Sequence, residues 1–416
     1  MIKRILKTSF FSVSSRGILT LINLVIMYSV SHGLGEAKLG AYSISVFIYY
    51  LFSFFTSFEL TTYFGKEVAH RRDRDGEIKK FVGEIGTTFI LGLGLSVVTM
   101  IFLLIFFNKI DTPLLLVSIV SGVVFGIEKN LSGILLGQEK MQYEFISQLV
   151  ALVMVAVPAF IWVKQLDLPG VYYLRTAASL LTIGLRGFFL DIGKYFDKAY
   201  IAVKHYNWKE IGFFSASGFA YFVQHHFDLF VLSFFITKEQ EGAYFLALRI
   251  YLSLCLLAEM TSFALTPYIS RVYRRQEGKE TLDFRRFSKK ILLAGSLMGA
   301  VAAVILFFTR HILADFFYSG DPKMASDLML YFSFLLFFRF VSYYTGNVLT
   351  ATQYQNIRFY ILFSSALLMI GLEFLLGHFF SVMGIIYTRV IAELFIFIGY
   401  LIAVPRVGHK PVKAGD

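Results

Sequence analysis

Apolar residues run in long stretches along almost the whole chain, broken by short polar connections. A helix needs about 20 mostly apolar residues to cross the ~30 Å hydrocarbon core of a bilayer. The stretches that qualify are 9–31, 40–64, 83–107, 113–136, 146–164, 169–189, 210–235, 242–268, 290–310, 327–349, 357–379 and 381–404. They predict an all-α integral membrane protein with about twelve spanning helices. The connections are too short to hold a soluble domain.

Composition agrees with this pattern. Apolar residues make up 57% of the chain, charged residues 16%, and the mean hydropathy is +0.67. A soluble domain carries about 25% charged residues. Lipid-facing positions need no polar surface, and that explains the deficit. The 47 Phe and 24 Tyr beside 7 Pro suit long helices with aromatic residues near the interfaces. The start, Met1 to Lys7, is basic, but no small-residue cleavage site follows it, so it leads into a first span rather than forming a signal peptide. The single Cys255 excludes an internal disulfide.

The net charge of +11 would suit nucleic-acid binding in a soluble protein. Here its distribution gives another reading. Loop 65–82 holds Lys66, Arg71, Arg72, Arg74, Lys79 and Lys80. Loop 190–209 holds Lys194, Lys198, Lys204 and Lys209, with Arg186 just before it. Loop 269–289 and its flank hold Arg271, Arg274, Arg275, Lys279, Arg285, Arg286, Lys289 and Lys290, and the tail holds Arg406, Lys410 and Lys413. The alternate connections carry only Lys38, Lys109, Lys164, Lys238, Arg310 and Lys323. By the positive-inside rule both termini are cytoplasmic. Anionic headgroups are then the neighbours of the basic face, and no nucleic acid is needed. Segment 191–209 mixes Lys with Tyr, Phe and Trp208 and reads as an interfacial linker.

The chain also repeats itself. Gly40-Ala41-Tyr42 and Glu59-Leu60-Thr61-Thr62-Tyr63 are echoed by Gly242-Ala243-Tyr244 and Glu259-Met260-Thr261-Ser262-Phe263. A weaker echo joins Gly137-Gln138 to Thr352-Gln353. The second span maps onto the eighth, and both run in the same direction. The repeat is therefore parallel, giving lobes 1–190 and 210–416 joined by 191–209. Paired halves of this kind are a transporter architecture.

Particular residues carry a family resemblance. Gly33-Leu34-Gly35 and Leu39-Gly40-Ala41-Tyr42 form a glycine-containing turn, and an apolar second span then ends at Gly65-Lys66-Glu67 before a basic loop. This resembles polysaccharide transporters of the multidrug/oligosaccharidyl-lipid/polysaccharide (MOP) exporter superfamily, and within it the Wzx-type O-antigen flippases. The plan of two parallel six-helix lobes is similar across nearly the whole chain. The resemblance implies a MATE-like fold with alternating access at a central cavity. It implies an undecaprenyl-diphosphate-linked oligosaccharide as substrate, a bacterial inner membrane as location and polysaccharide polymerase machinery as neighbour. MATE drug exporters also have twelve helices, so a cation-coupled exporter is the alternative. Neither reading calls for a bound cofactor, though coupling to H⁺, Na⁺ or the membrane potential is open.

Ionisable residues within spans cost about 2.5–3.5 kcal/mol each on insertion scales, so each is a candidate functional residue. Arg16, Arg175, Arg249, Arg339 and Arg389 qualify, as do Glu59, Asp228, Glu259, Glu373 and Glu393. Pairing across helices is the equal alternative for each. Arg339 lies mid-span, where escape to water is hardest, and its planar fork suits a diphosphate. Arg16, Arg249 and Arg175 follow as cavity candidates, with Tyr343 and Asn347 for sugar hydroxyls or interhelical packing. Arg389 and Glu393, four residues apart, are expected to pair locally. Asp228 and Glu373 are candidates for a coupling ion. Glu59 and Glu259, at matching repeat positions, read as anchors before gates.

His225-His226 with Asp228 does not make a metal site, because adjacent histidines point to different helix faces. A polymerase or glycosyltransferase would need catalytic groups on a sizeable outer loop. Only 311–326 carries several polar groups (Asp315 and Asp321), and no P-loop, zinc motif or nucleophile elbow is present, so catalysis is not expected.

Overall fold

The computed structural model describes residues 2–70, 75–106, 110–192, 208–275, 281–352 and 354–405, and among them no strand occurs. Arg71, Arg72, Arg74, Lys109, Lys194, Lys198, Lys204, Lys279, Gln353, Arg406, Lys410, Lys413 and nearly all of the linker 191–209 lie outside the described residues.

Helix α1 (Ile2–Leu34) ends at Gly35, whose φ of 93° suits glycine because no Cβ obstructs it. Helix α2 (Glu36–Ser57) stops at Phe58 and Glu59, both left-handed with φ of 45° and 53°. Helix α3 (Thr61–His70) follows, so the predicted second span is broken in its interior. A left-handed conformation costs a non-glycine residue about 1–2 kcal/mol. Local bonds hold it here: the Glu59 N–H donates to Ser57 Oγ (3.1 Å), and the Glu59 carboxylate pairs with Lys129.

Helix α4 (Asp75–Phe106) precedes α5 (Thr112–Gly137), which opens with Asp111 at its cap and a proline in its first turn. Helix α6 (Met141–Leu190) is 50 residues long. Unbroken, it would run ~75 Å, far beyond a bilayer core. Asp167 breaks it with φ 47° and ψ −173°. Leu168-Pro169 follows the break, where the proline ring disfavours helix in the residue before it and supplies no N–H.

Helix α7 (Trp208–Phe222) runs through a π turn (Val223–Phe227) into α8 (Asp228–Leu232), occupying the predicted seventh span. Then come α9 (Lys238–Ala264), α10 (Thr266–Arg275), α11 (Thr281–Phe317) and α12 (Pro322–Ala351). Asp321 caps α12 by accepting the Lys323 N–H at 3.0 Å. Segment 311–326 is thus mostly helix, with Asp315 inside α11. Helix α13 (Gln355–Ala403) breaks at Ser381, where φ is 51°. Among the described residues, 9 helices are long and apolar enough to cross a membrane, and α6 and α13 each divide into two segments at their breaks.

The chain forms two compact units. Unit 1 comprises Met1–Phe222 with Thr237–Gly242. In its span Glu36–Ala69, 78% of the most apolar stretch is buried, whereas the figure for Gly83–Ile105 is 22%. Helix α4 therefore turns large apolar side chains such as Val98 and Ile105 outward. Unit 2 comprises Val223–Ile236 with Ala243–Asp416. There α12 is largely buried, while α11 exposes Phe308 and Ile312. Apolar belts of this kind are stable against hydrocarbon and unstable against water.

Within unit 1, the two glycines that head the Gly-Ala-Tyr blocks meet reciprocally. A Cβ on Gly40 would collide with the Lys238 carbonyl, and one on Gly242 would lie 2.9 Å from the Glu36 carbonyl. Residue 238 bears the same relation to Gly242 as residue 36 bears to Gly40, so the contact follows the sequence repeat.

Candidate functional site

In unit 2, α12 places Arg339 mid-helix and buried. The guanidinium donates to Glu393 Oε1 on α13 at 2.9 Å and to Gln224 Oε1 at 3.3 Å. His225 Nε2 lies at 3.5 Å, and the Tyr343 ring centre is 5.1 Å from the guanidinium carbon. The π turn supplies Gln224 and His225 together. A wider turn shifts the register of the side chains that follow it, and such turns recur at functional sites. Arg339 Nε and Glu393 Oε2 are buried without a hydrogen-bond partner. Arg339 is therefore a balanced charge with some spare bonding capacity.

A second cluster in unit 2 gathers residues from three helices. Arg389 of α13 donates from Nη2 and Nε to Asp228 Oδ2, at 2.6 and 2.9 Å, and from Nε to the Tyr244 hydroxyl at 3.0 Å. Tyr244 also donates to Asp228 Oδ2. The expected local pair of Arg389 with Glu393 is not formed. Spacing by four puts both side chains on one helix face, but each takes a partner from a different facing element. Beside this cluster lies Glu373, fully buried, with neither carboxylate oxygen hydrogen-bonded among the described residues. Its electrostatic neighbours are Asp228 and Arg389.

In unit 1, Arg175 of α6 is buried and donates from Nη2 to Asn23 Oδ1 (2.6 Å) and the Tyr42 hydroxyl (2.8 Å). The Tyr49, Tyr172 and Tyr42 rings surround it, with centres 5.2, 5.8 and 6.0 Å from the guanidinium carbon. Its Nε is buried without a partner. Among the described residues no carboxylate comes within ion-pair distance of it. Aromatic faces offer a cation only about 0.5–2 kcal/mol of stabilisation and leave its charge unneutralised.

The remaining candidates separate by environment. Arg16 is exposed on α1. Arg249 is half-buried, 4.9 Å from the Phe245 ring centre. Asn347 donates to the Ser262 carbonyl and accepts from Thr266 Oγ1 at 2.8 Å, which is interhelical bonding. Glu59 is anchored by Lys129, and Glu259 is half-buried in α9. Among the described residues no group of three or more His, Cys, Asp or Glu is placed to hold a metal ion.

One network has no counterpart in the sequence expectations. Arg186, placed there at the edge of a basic loop, is 1% exposed. It pairs with Glu128 Oε1 at 3.0 Å, and it donates to the Glu128 carbonyl (2.8 Å), Ser132 Oγ (2.6 Å) and Ser147 Oγ (3.0 Å). Gln148 completes it by donating to Glu128 Oε1 at 3.0 Å. The signal was Glu128-Lys129 inside an otherwise apolar run. As neighbours on a helix they point apart, so Glu128 reaches Arg186 while Lys129 reaches Glu59.

The fold is shared with solved transporters of the MATE and MOP type. An inward-facing MATE family transporter of the MOP superfamily superposes with a TM-score of 0.72 at 16% identity, covering 95% of this chain and 96% of that one. A MOP superfamily transporter from Pyrococcus furiosus, described in terms of the reverse polarity of its binding pocket, gives 0.67 at 17% identity over 98% and 97%. The eukaryotic MATE transporter AtDTX14 gives 0.66 at 13% identity over 99% and 98%. No curated protein matches the sequence. The chain belongs to the polysaccharide biosynthesis protein family, which it matches over residues 5–273.

Proposed function

We propose that this protein is a flippase for an anionic lipid-linked oligosaccharide, moving an undecaprenyl-diphosphate-linked repeat unit from the cytoplasmic to the outer leaflet by alternating access. The observation that carries the reading is Arg175, a buried guanidinium that has neutral partners only among the described residues. A cation held so deep without a carboxylate favours an anionic cargo over a cationic drug. Membership of a polysaccharide biosynthesis family supports a glycan as the rest of that cargo. In this reading the lobes are 1–190 and 210–416, both termini face the cytoplasm, and the membrane is the bacterial inner membrane beside the polymerase machinery. Arg339, Arg249, Arg16, Tyr343 and Asn347 are secondary candidates along the glycan path.

One observation favours the second reading, a cation-coupled MATE-type exporter. Glu373 is a buried carboxyl without a hydrogen-bond partner, as a site for a coupling ion would need. The two readings meet if Glu373 couples flipping to H⁺ or Na⁺, with Asp228 already engaged by Arg389. Depleting the protein in cells tests the choice. Accumulation of lipid-linked sugar on the cytoplasmic leaflet, relieved by the wild-type chain and not by Arg175→Ala, is the expected result. Normal glycan export with altered dye efflux would transfer the case to the exporter.

A further inference from the structure

The Arg175 and Arg389 clusters are two copies of one design. Asn23 lies in the first predicted span and Asp228 in the seventh. Tyr42 lies in the second and Tyr244 in the eighth, each closing a Gly-Ala-Tyr block. Arg175 lies in the sixth and Arg389 in the twelfth. In unit 1 the arginine Nη2 meets the Asx oxygen at 2.6 Å, and in unit 2 it does the same at the same distance. In both, the guanidinium also donates to the tyrosine hydroxyl, at 2.8 and 3.0 Å. The members of each triad come from matching spans of the repeat. Their chemistry differs at one residue, where unit 1 has an amide and unit 2 a carboxylate.

That single difference decides the charge. Asp228 holds a carboxylate oxygen against Arg389, and the triad is neutral. Asn23 offers an amide oxygen, so Arg175 keeps its full charge along with a buried, unpartnered Nε. The surrounding rings are fixed independently, since Tyr172 shares a hydrogen bond with Ser45 at 2.8 Å. A guanidinium with a free donor in a low-dielectric surround takes an oxyanion, and its planar fork suits phosphate oxygens.

We infer that Asn23, Tyr42 and Arg175 form an oxyanion site for a phosphate or diphosphate group, kept cationic because Asn23 stands where the duplicated half has Asp228. This rests on the reading of Arg175 as the substrate anchor. Asn23 is the specificity-determining residue, because a carboxylate at that position would occupy the guanidinium from within.

The test uses the purified full chain with two ligands: inorganic pyrophosphate in detergent, and a polyprenyl diphosphate in lipid nanodiscs. Calorimetry on wild type, Asn23→Asp and Arg175→Gln gives affinities, and thermal unfolding without ligand reports folding. Wild type is expected to bind, with Asn23→Asp and Arg175→Gln weaker by about tenfold or more, the loss of one charge-assisted contact. Asn23→Asp is expected to unfold at the wild-type temperature or above, because the new carboxylate pairs with Arg175 as Asp228 pairs with Arg389. Wild-type affinity in Asn23→Asp, a lower unfolding temperature for it, or no binding of either ligand to wild type would each overturn the inference. Binding of both ligands assigns the site to a lipid-linked diphosphate; binding of pyrophosphate alone assigns it to a free oxyanion. Binding that is lost in Asn23→Asp while depleted cells export glycan normally would leave the site standing and remove the flippase reading.

Discussion

Arg339 and Glu393 meet at 2.9 Å from facing helices, although Glu393 stands one helical turn after another arginine, Arg389, on its own helix. Both partners are buried. Removing one member of such a pair leaves an uncompensated charge and costs about 3–5 kcal/mol, whereas replacing both by apolar groups of similar size is near neutral. Arg339→Ala should therefore lower the unfolding temperature sharply in detergent, and Arg339→Met with Glu393→Met should restore most of it. If the double variant is stable yet fails to support glycan export, the pair also serves the substrate. If export returns with stability, its role is to hold α12 against α13.

The Arg186–Glu128 pair makes a stricter demand on geometry. The guanidinium donates to three acceptors, the Glu128 carbonyl, Ser132 Oγ and Ser147 Oγ, and forms an ion pair with Glu128 Oε1. Lysine carries the same charge on one ammonium and cannot satisfy donor directions fixed by a planar fork. Arg186→Lys is expected to lose about 1–3 kcal/mol of stability, the penalty for buried acceptors left unpaired. Thermal unfolding checks this directly. A wild-type unfolding temperature for Arg186→Lys would mean that charge alone matters there.

These two pairs show where sequence reading succeeds and where it stops. The apolar spans were legible because an apolar run of about 20 residues has one favourable solvent, whereas Asp321, read as an outer-loop residue, turned out to cap a helix. The Gly-Ala-Tyr echo marked residues that later proved to pack reciprocally. Partner choice was not legible. Spacing places Arg389 and Glu393 on one face but says nothing of which helix lies opposite. Arg186 was grouped with the edge of a basic loop because the positive-inside rule counts charges near span ends without regard to burial. Asn23 carried no flag at all, since an amide within a span costs less than a charge and stands out only beside Arg175.

Glu373 makes a prediction about energetics of transport. Its carboxyl lacks hydrogen-bond partners, and Asp228 nearby is already occupied by Arg389. Glu373→Gln keeps the shape and removes the titration. In proteoliposomes it should fold and bind substrate while transport loses its response to an imposed proton or sodium gradient. A gradient response equal to wild type would exclude Glu373 as the coupling group.

The glycine contact allows an internally controlled experiment. Gly40 has the Lys238 backbone where a Cβ would sit, whereas Gly17 has nothing within 4 Å. Both lie in helices, so alanine improves intrinsic helix propensity at each position by about 1 kcal/mol. At Gly17 that gain stands alone, and Gly17→Ala should be neutral or slightly stabilising. At Gly40 the added methyl must push backbone away from backbone, and overpacking of a tight contact costs about 1–3 kcal/mol. Gly40→Ala should therefore unfold at a lower temperature than both wild type and Gly17→Ala. Gly242 faces the Glu36 carbonyl at 2.9 Å, a shallower clash than that at Gly40, so Gly242→Ala should fall between them. That ordering across three variants follows from steric distance alone. A reversed order would mean that the segment Thr237–Gly242 yields easily and does not fix the start of α9 against α2.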